Sequence, residues 1–565
     1  CVTYLIRPCD WVIRRSQTIA RYGEIQMPPK TIAYAQQGRE VIRRGVRQLA
    51  DAVKVTLGPR GGNVLFNQGF GPPLITRDGA TVAKQIDLPD PMENIGAQMI
   101  KDVAKKTAKD AGDGTTTATI YAESIFEEGL KNITAGAEAM EVRRGIERAV
   151  AAVVEALKNM SVEVKSSEQM VQVATCAANH DENVGRIVAE AMESIGRTGV
   201  PTIEEGQSLD IIVDRVDGLQ FDKGFLSPYF INEAARGQCC LEKPYILVHE
   251  KRISSAKDFL PLLEAIAQSG KPLLVIAEDV DGEALATLVV NQLRGTLHSA
   301  AVKAPGFGDR RRAQMEDIAI MTGARAMFES LGTKLENVSL ADLGQAEKVI
   351  IEKEQTTMIG GSGSKDSIDA RIAQIKKEMD LTTSDYDREQ LEKRLAKLTG
   401  GVARIKIGGA TELEVNHRKE LIEDALQACR AALEEGVLPG GGVAVLRCLP
   451  ALDKVRETLT GDQRIGVDIV GRAIRSPIKQ IAKNAGQDGS IVLIEVLSSD
   501  SPSFGYNALT GEYGDLVAMG VIVPTKVERV ALQNASSVAA LLLTTDAVVC
   551  EMKTDDSRRP SRRSA

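Results

Sequence analysis

Apolar residues recur every three or four positions along much of the chain, and short strand-like runs break that rhythm in a few places. Over residues 38–57, Ile42, Gly45, Val46, Leu49 and Val53 fall on one stripe, which predicts a helix that Gly58-Pro59 ends. Short strands are expected at 63–66 and 73–75. Thr76-Arg77-Asp78-Gly79 follows, and its Asp-Gly pair reads as a hairpin turn. Helices are expected over about 93–110, 117–131 and 138–158, the last with Val142, Ile146, Ala149, Val150 and Leu157 inward. The first part of the chain is thus a helical domain with a small hairpin.

From about residue 160 the pattern changes. A helix over 185–196 is followed by strands at 202–204 and 211–213. After Gly218, strands at 245–248, 273–277 and 300–302 alternate with helices at 256–268 and 282–297, which is an α/β layer. Those two helices carry more apolar residues than one stripe needs. The surplus, Leu260, Leu263 and Val290, faces outward as an adhesive surface or lies in a helix buried on both sides; the pattern alone fits either. Residues 360–364, Gly-Gly-Ser-Gly-Ser, read as a flexible tip. Charged helices follow over about 366–380 and 385–398, with Ile368, Ile372, Ile375, Leu391 and Leu395 inward. Gly400-Gly401 breaks the chain, and a long helix at 412–435 keeps Asp424 and Glu423 off its apolar side. Pro439-Gly440-Gly441-Gly442 opens a tight loop, and a hairpin near 504–513 and a strand at 521–523 come later. The glycines near 218 and 400–401 bracket the α/β layer, which suggests an inserted domain with hinges at its base.

Composition narrows the function classes. The 565 residues carry a net charge of −7 with only 4% aromatics, which disfavours nucleic-acid binding by charge or by base stacking. No apolar run is long enough to span a membrane. The eight cysteines form no C-x-x-C, and the four histidines, His180, His249, His298 and His417, have no metal-ligand spacing, so zinc chemistry is disfavoured and the thiols are expected to be reduced. Residues 1–26 hold the only tryptophan, Trp11, and four arginines, ahead of Met27. They read as translated upstream sequence or as an organellar transit peptide, with a cytoplasmic or an organellar-matrix location accordingly. Residues 553–565 are polar and arginine-rich and read as a disordered tail.

The chemistry centres on Asp113-Gly114-Thr115-Thr116-Thr117. Three hydroxyl residues at a helix start, where backbone N–H groups are unpaired and the dipole favours anions, make a phosphate cradle, and Asp113 is a hard oxygen ligand suited to Mg2+. The same residues also suit an ordinary helix cap. No G-x-x-x-x-G-K-[ST] loop occurs.

Taken in order, Leu57-Gly58-Pro59, Thr76-Arg77-Asp78-Gly79, Asp113 to Thr119, Ala304-Pro305-Gly306-Phe307-Gly308-Asp309 and Gly440-Gly441-Gly442 resemble the signature of the group I chaperonins, the GroEL-type 60 kDa chaperonins, over about residues 28–552. The resemblance implies a multidomain α+β and α/β fold. A mostly helical equatorial ATPase domain would take 28–159 and 435–552, a small intermediate hinge domain 160–217 and 402–434, and an α/β apical domain 218–401. It also implies ATP as substrate with Mg2+ and K+, heptameric rings, usually two stacked, unfolded polypeptide clients, and a small GroES-type co-chaperonin lid.

Residue by residue, the resemblance implies a nucleotide pocket of Thr56, Leu57, Gly58, Pro59, Arg77, Asp113, Gly114, Thr115, Thr116, Thr117, Gly441, Asn507, Ala508 and Val523. Asp113 would bind Mg2+, and Thr56 and Thr116 would lie near K+. Asp424 would activate the attacking water with Asp78 as its helper. Phe225, Tyr229, Phe230, Leu260, Leu263, Leu285, Val289 and Val290 would bind clients and the lid, which favours the exposed reading of the surplus apolar residues. Three departures stand out: Arg77 where the family usually has lysine, Val523 where it usually has aspartate, and a tail without Gly-Gly-Met repeats. The arginine is tolerable because the backbone there does the binding; Val523 and the tail leave one rival reading, a client-binding scaffold that does not cycle.

Overall fold

The computed structural model describes residues 30–67, 73–196, 199–206, 208–234, 236–328, 335–382 and 384–551. The expectations for residues 1–26 and 553–565 lie outside the described residues. The chain divides into two compact units, one made of 1–162 with 437–565 and the other of 163–436.

The first unit is helical. Ala35–Lys54 buries Val41, Ile42, Val46, Leu49 and Val53, as the stripe predicts, but starts and stops three residues earlier than expected. Pro91–Ala111, Thr115–Thr134 and Ala139–Met160 pack with Asp462–Ala473 and Thr525–Leu543 around one apolar core that includes Phe126, Ile146, Leu157, Leu532 and Leu543. Segments distant in sequence meet here: Lys30–Tyr34 pairs antiparallel with Ala547–Glu551. Three further two-stranded pairs form: Val64–Phe66 with Leu74–Thr76, Val437–Pro439 with Ile522–Pro524, and Phe504–Asn507 with Glu512–Asp515.

In the second unit, Ser299–Lys303, Leu273–Ala277 and Tyr245–His249 lie parallel in that order. Gly344–Ile351, Thr356–Gly361 and Gly218–Phe221 continue the sheet antiparallel, and Cys239–Glu242 makes it seven-stranded. This is the expected α/β layer, extended by a meander that the pattern did not reveal. Strands from either side of residues 218–401 pair with each other: Val402–Ile407 lies between Val200–Glu205 and Ile212–Val216. Residues 360–364 are not a free tip. Gly361 closes a strand, and Cβ atoms on Gly361 and Gly363 would stand 2.2 Å and 2.0 Å from the Met321 and Ile320 carbonyl oxygens, so these glycines permit close backbone packing. Ser364 then caps the Lys365–Leu381 helix. Among the described residues, no helix is long and apolar enough to cross a membrane.

Candidate functional site

The Pro91–Ala111 helix closes on Gly112 in the left-handed conformation, and two residues later Gly114, at φ +82°, opens Thr115–Thr134. Gly114 has no side chain to cap with, so the first N–H groups of this helix receive no side-chain cap. Asp113 accepts from the Gly114 N–H instead. Neither Asp113 nor Thr115 caps this helix start through its side chain, and an uncapped start is the kind of place where an anion is favoured.

A second helix start lies against it. The Asp-Gly pair makes no hairpin turn; it begins a helix, Gly79–Gln85, that the sequence pattern missed because it is only seven residues long. Asp78 seals that helix by accepting from Ala80 N–H at 3.1 Å and Thr81 N–H at 2.8 Å, while its own N–H donates to Thr76 Oγ1 at 3.1 Å. Gly79 is needed for the approach, since a Cβ there would stand 2.2 Å from Thr116 Oγ1. One start is thus satisfied by a carboxylate and the adjacent one is not.

Several other expected residues connect to these helix starts through the loop after Thr56. Thr56 Oγ1 donates to Val53 O at 2.9 Å and lies 3.3 Å from Thr116 Oγ1, so the two threonines expected near K+ are adjacent. Gly58, at φ +83°, turns the loop after Thr56, and Arg77 donates to its carbonyl. Arg60 Nη2 reaches Leu509 O at 2.9 Å, tying this loop to the Asn507 turn, where Asn507 Oδ1 accepts from Leu509 N–H at 3.0 Å. Ala508 is buried. A Cβ on Gly441 would meet Tyr506 O at 3.7 Å, which places the glycine loop beside that turn. Val523 pairs with Leu438 and packs half-buried on the apolar core.

Charge in the site is uneven. Burial raises the Asp113 carboxyl above its usual range, and the nearby Asp78 charge raises it further, against the lowering by the Gly114 N–H. Among the described residues no lysine or arginine is paired with Asp113. Glu528, missed by sequence reasoning, is buried behind it and accepts from Tyr121 Oη at 2.6 Å; burial raises its carboxyl and Asp113 adds to the effect. On the opposite side of the charge balance, Arg77 Nε is buried with no hydrogen-bond partner, and burial lowers the guanidinium from its usual value. A carboxylate lacking a cation and a guanidinium lacking an anion fit a metal–phosphate ligand. Among the described residues no cluster of three or more His, Cys, Asp or Glu could hold a metal alone.

The second unit carries the other expected residues. Asp424 is half-buried on Glu412–Glu435, off the buried stripe of Leu421, Ile422, Ala425 and Ala428, as its spacing predicts. Tyr229, Leu260 and Val290 are exposed, and Leu293, not anticipated, is more exposed than either aliphatic. Phe225, Leu285 and Val289 are half-buried against the sheet core. Two expectations are corrected. Leu263 is 4% exposed because it shares one helical face with Phe259, Leu262 and Ile266, and Phe230 is fully buried in the same core. Neither can meet a client without local unfolding.

The sequence model of the TCP-1/cpn60 chaperonin family matches residues 49–553, which spans every element of both sites described above.

Proposed function

The chain belongs to the TCP-1/cpn60 chaperonin family, and from that membership we propose that it is an ATP-driven folding chaperone of the group I, GroEL type. As in the family generally, it works as an oligomeric ring on client proteins. We assign seven-membered rings, capture of unfolded chains on Tyr229, Leu260, Val290 and Leu293, and closure by a GroES-type lid on the same surface. The observation that carries the ATPase reading is the uncapped helix start at Thr115 beside Asp113, a buried carboxyl with no basic partner among the described residues.

The chain's own residues divide the work. N–H groups from Thr115 to Thr117 bind phosphate oxygens, and Arg77 brings a fixed positive charge to them. Asp113 is the residue to hold Mg2+, which when bound neutralises phosphate charge; Thr56 and Thr116 are those to hold K+. Gly441 and the Asn507–Ala508 turn bind the nucleoside. Asp424 is assigned the orientation of the attacking water and Asp78 the role of its helper, since phosphoryl transfer needs positioning and charge neutralisation above all. Asp424 belongs to the second unit and the phosphate cradle to the first.

Steady-state ATP turnover of the wild type and of Asp424→Ala tests this. The wild type should hydrolyse ATP with Mg2+, and the variant should bind ATP normally but turn over about a hundredfold more slowly, the usual worth of a water-orienting base. Unchanged turnover in the variant removes Asp424 from the mechanism. A wild type that captures clients and never hydrolyses ATP establishes the non-cycling scaffold in place of the machine.

A further inference from the structure

The Ala35–Lys54 helix runs out into a loop in which the Lys54 and Val55 carbonyls accept from the Leu57 and Gly62 N–H groups at 3.3 Å and 2.8 Å. One side chain from a distant helix collects carbonyls of this loop. Asn484, at the end of Ser476–Asn484, donates from Nδ2 to Lys54 O at 3.0 Å and to Leu57 O at 2.8 Å, with Val55 O at 3.4 Å. Its Oδ1 accepts from Gln480 Nε2 at 2.7 Å, which fixes which way round the amide stands. Three residues earlier, Ile481 braces the loop: a Cβ on Gly58 would meet its Cγ1 and Cγ2 at 3.3 Å. From the other side Arg77 takes the Gly58 carbonyl.

We propose that Asn484 is a positioning residue for the nucleotide: it holds the Thr56–Pro59 loop in its binding shape and keeps the Leu57 carbonyl occupied. Unpaired carbonyl oxygens at the rim of an anion site repel phosphate, and a loop free to sample other conformations lowers affinity by the fraction of time it spends in them. This role rests on the ATP-binding reading. It needs no contact between Asn484 and the nucleotide, and it predicts a loss concentrated in binding.

Asn484→Asp is the sharpest variant, because it keeps the shape but opposes a carboxylate to the carbonyls. Asn484→Ala is the second, in case the added charge unfolds the loop region. Both should raise the ATP Kd and KM about tenfold, the equivalent of about 1.4 kcal/mol, while kcat at saturation stays within about twofold. Amide hydrogen exchange over residues 55–62 of the nucleotide-free variants should accelerate. Wild-type ATP affinity in both variants overturns the proposal, as does a parallel fall in kcat and melting temperature, which would mark a purely structural residue. A wild type that fails to bind ATP overturns the function itself, and with it the nucleotide role, and that outcome is read before any variant is made.

Discussion

Replacing Gly79 with alanine probes the contact on which the candidate site depends. The added Cβ would stand 2.2 Å from Thr116 Oγ1, 3.1 Å from Thr115 Oγ1 and 3.2 Å from Thr116 N. The first distance is more than an ångström inside the roughly 3.5 Å at which non-bonded heavy atoms rest. Thr116 is β-branched and has few rotamers to escape into, and turning its hydroxyl away ends its 3.3 Å approach to Thr56 Oγ1. The alternative is to push the two helix starts apart. Overpacking of this kind costs about 1–3 kcal/mol, and alanine's better helix propensity returns at most about 1 kcal/mol. If the strain falls on the phosphate cradle, ATP binding weakens by about 5- to 150-fold, taking 1.4 kcal/mol per decade. If it falls on the fold, each kcal/mol lowers the melting temperature by about 2–4 °C for a unit of this size. Isothermal titration with Mg·ATP, with and without K+, and calorimetry of the free protein separate the two. An ATP affinity within twofold of wild type together with an undiminished melting temperature would refute the reasoning, because neither the contact nor the cradle could then be as described.

The apolar surface separates by exposure: Leu260→Ser, Val290→Ser and Leu293→Ser together should abolish capture of an unfolded client while melting and ATP turnover persist. Leu263→Ser alone should instead cost about 2–5 kcal/mol of stability, as removal of buried leucine atoms does; a stable Leu263→Ser with lost capture would show that Leu263 lies on the capture surface. Glu528→Gln keeps an acceptor for Tyr121 Oη and removes an ionisable group whose folded pKa is raised by burial. A raised carboxylate loses its contribution to stability as pH climbs from the ordinary carboxylate range through the folded pKa. The nucleotide-free variant should therefore melt like the wild type near pH 4 and above it increasingly toward pH 8; a gain that instead grows on acidification would show the sign to be wrong.

What the sequence determined by itself was whatever depends on near neighbours along the chain. Helical stripes such as Ile42–Val53 and Val142–Leu157, the alternation after Gly218 and the off-stripe place of Asp424 all follow from side-chain spacing, because burial on one face repeats every three or four residues. The hydroxyl run at Thr115–Thr117 was legible as a helix start for the same reason. The tertiary structure decided what depends on residues far apart in the chain. Asp-Gly is compatible with a hairpin or a helix start, and only the packing of Gly79 on Thr116 selects the second. Leu260 and Leu263 are alike in a sequence, and the sheet beneath their helix buries one and exposes the other. Asn484 and Glu528 lie more than 400 residues from Leu57 and Tyr121. No local pattern marks them, since each is defined by long-range hydrogen bonds or shared burial, and those exist only once the fold has closed.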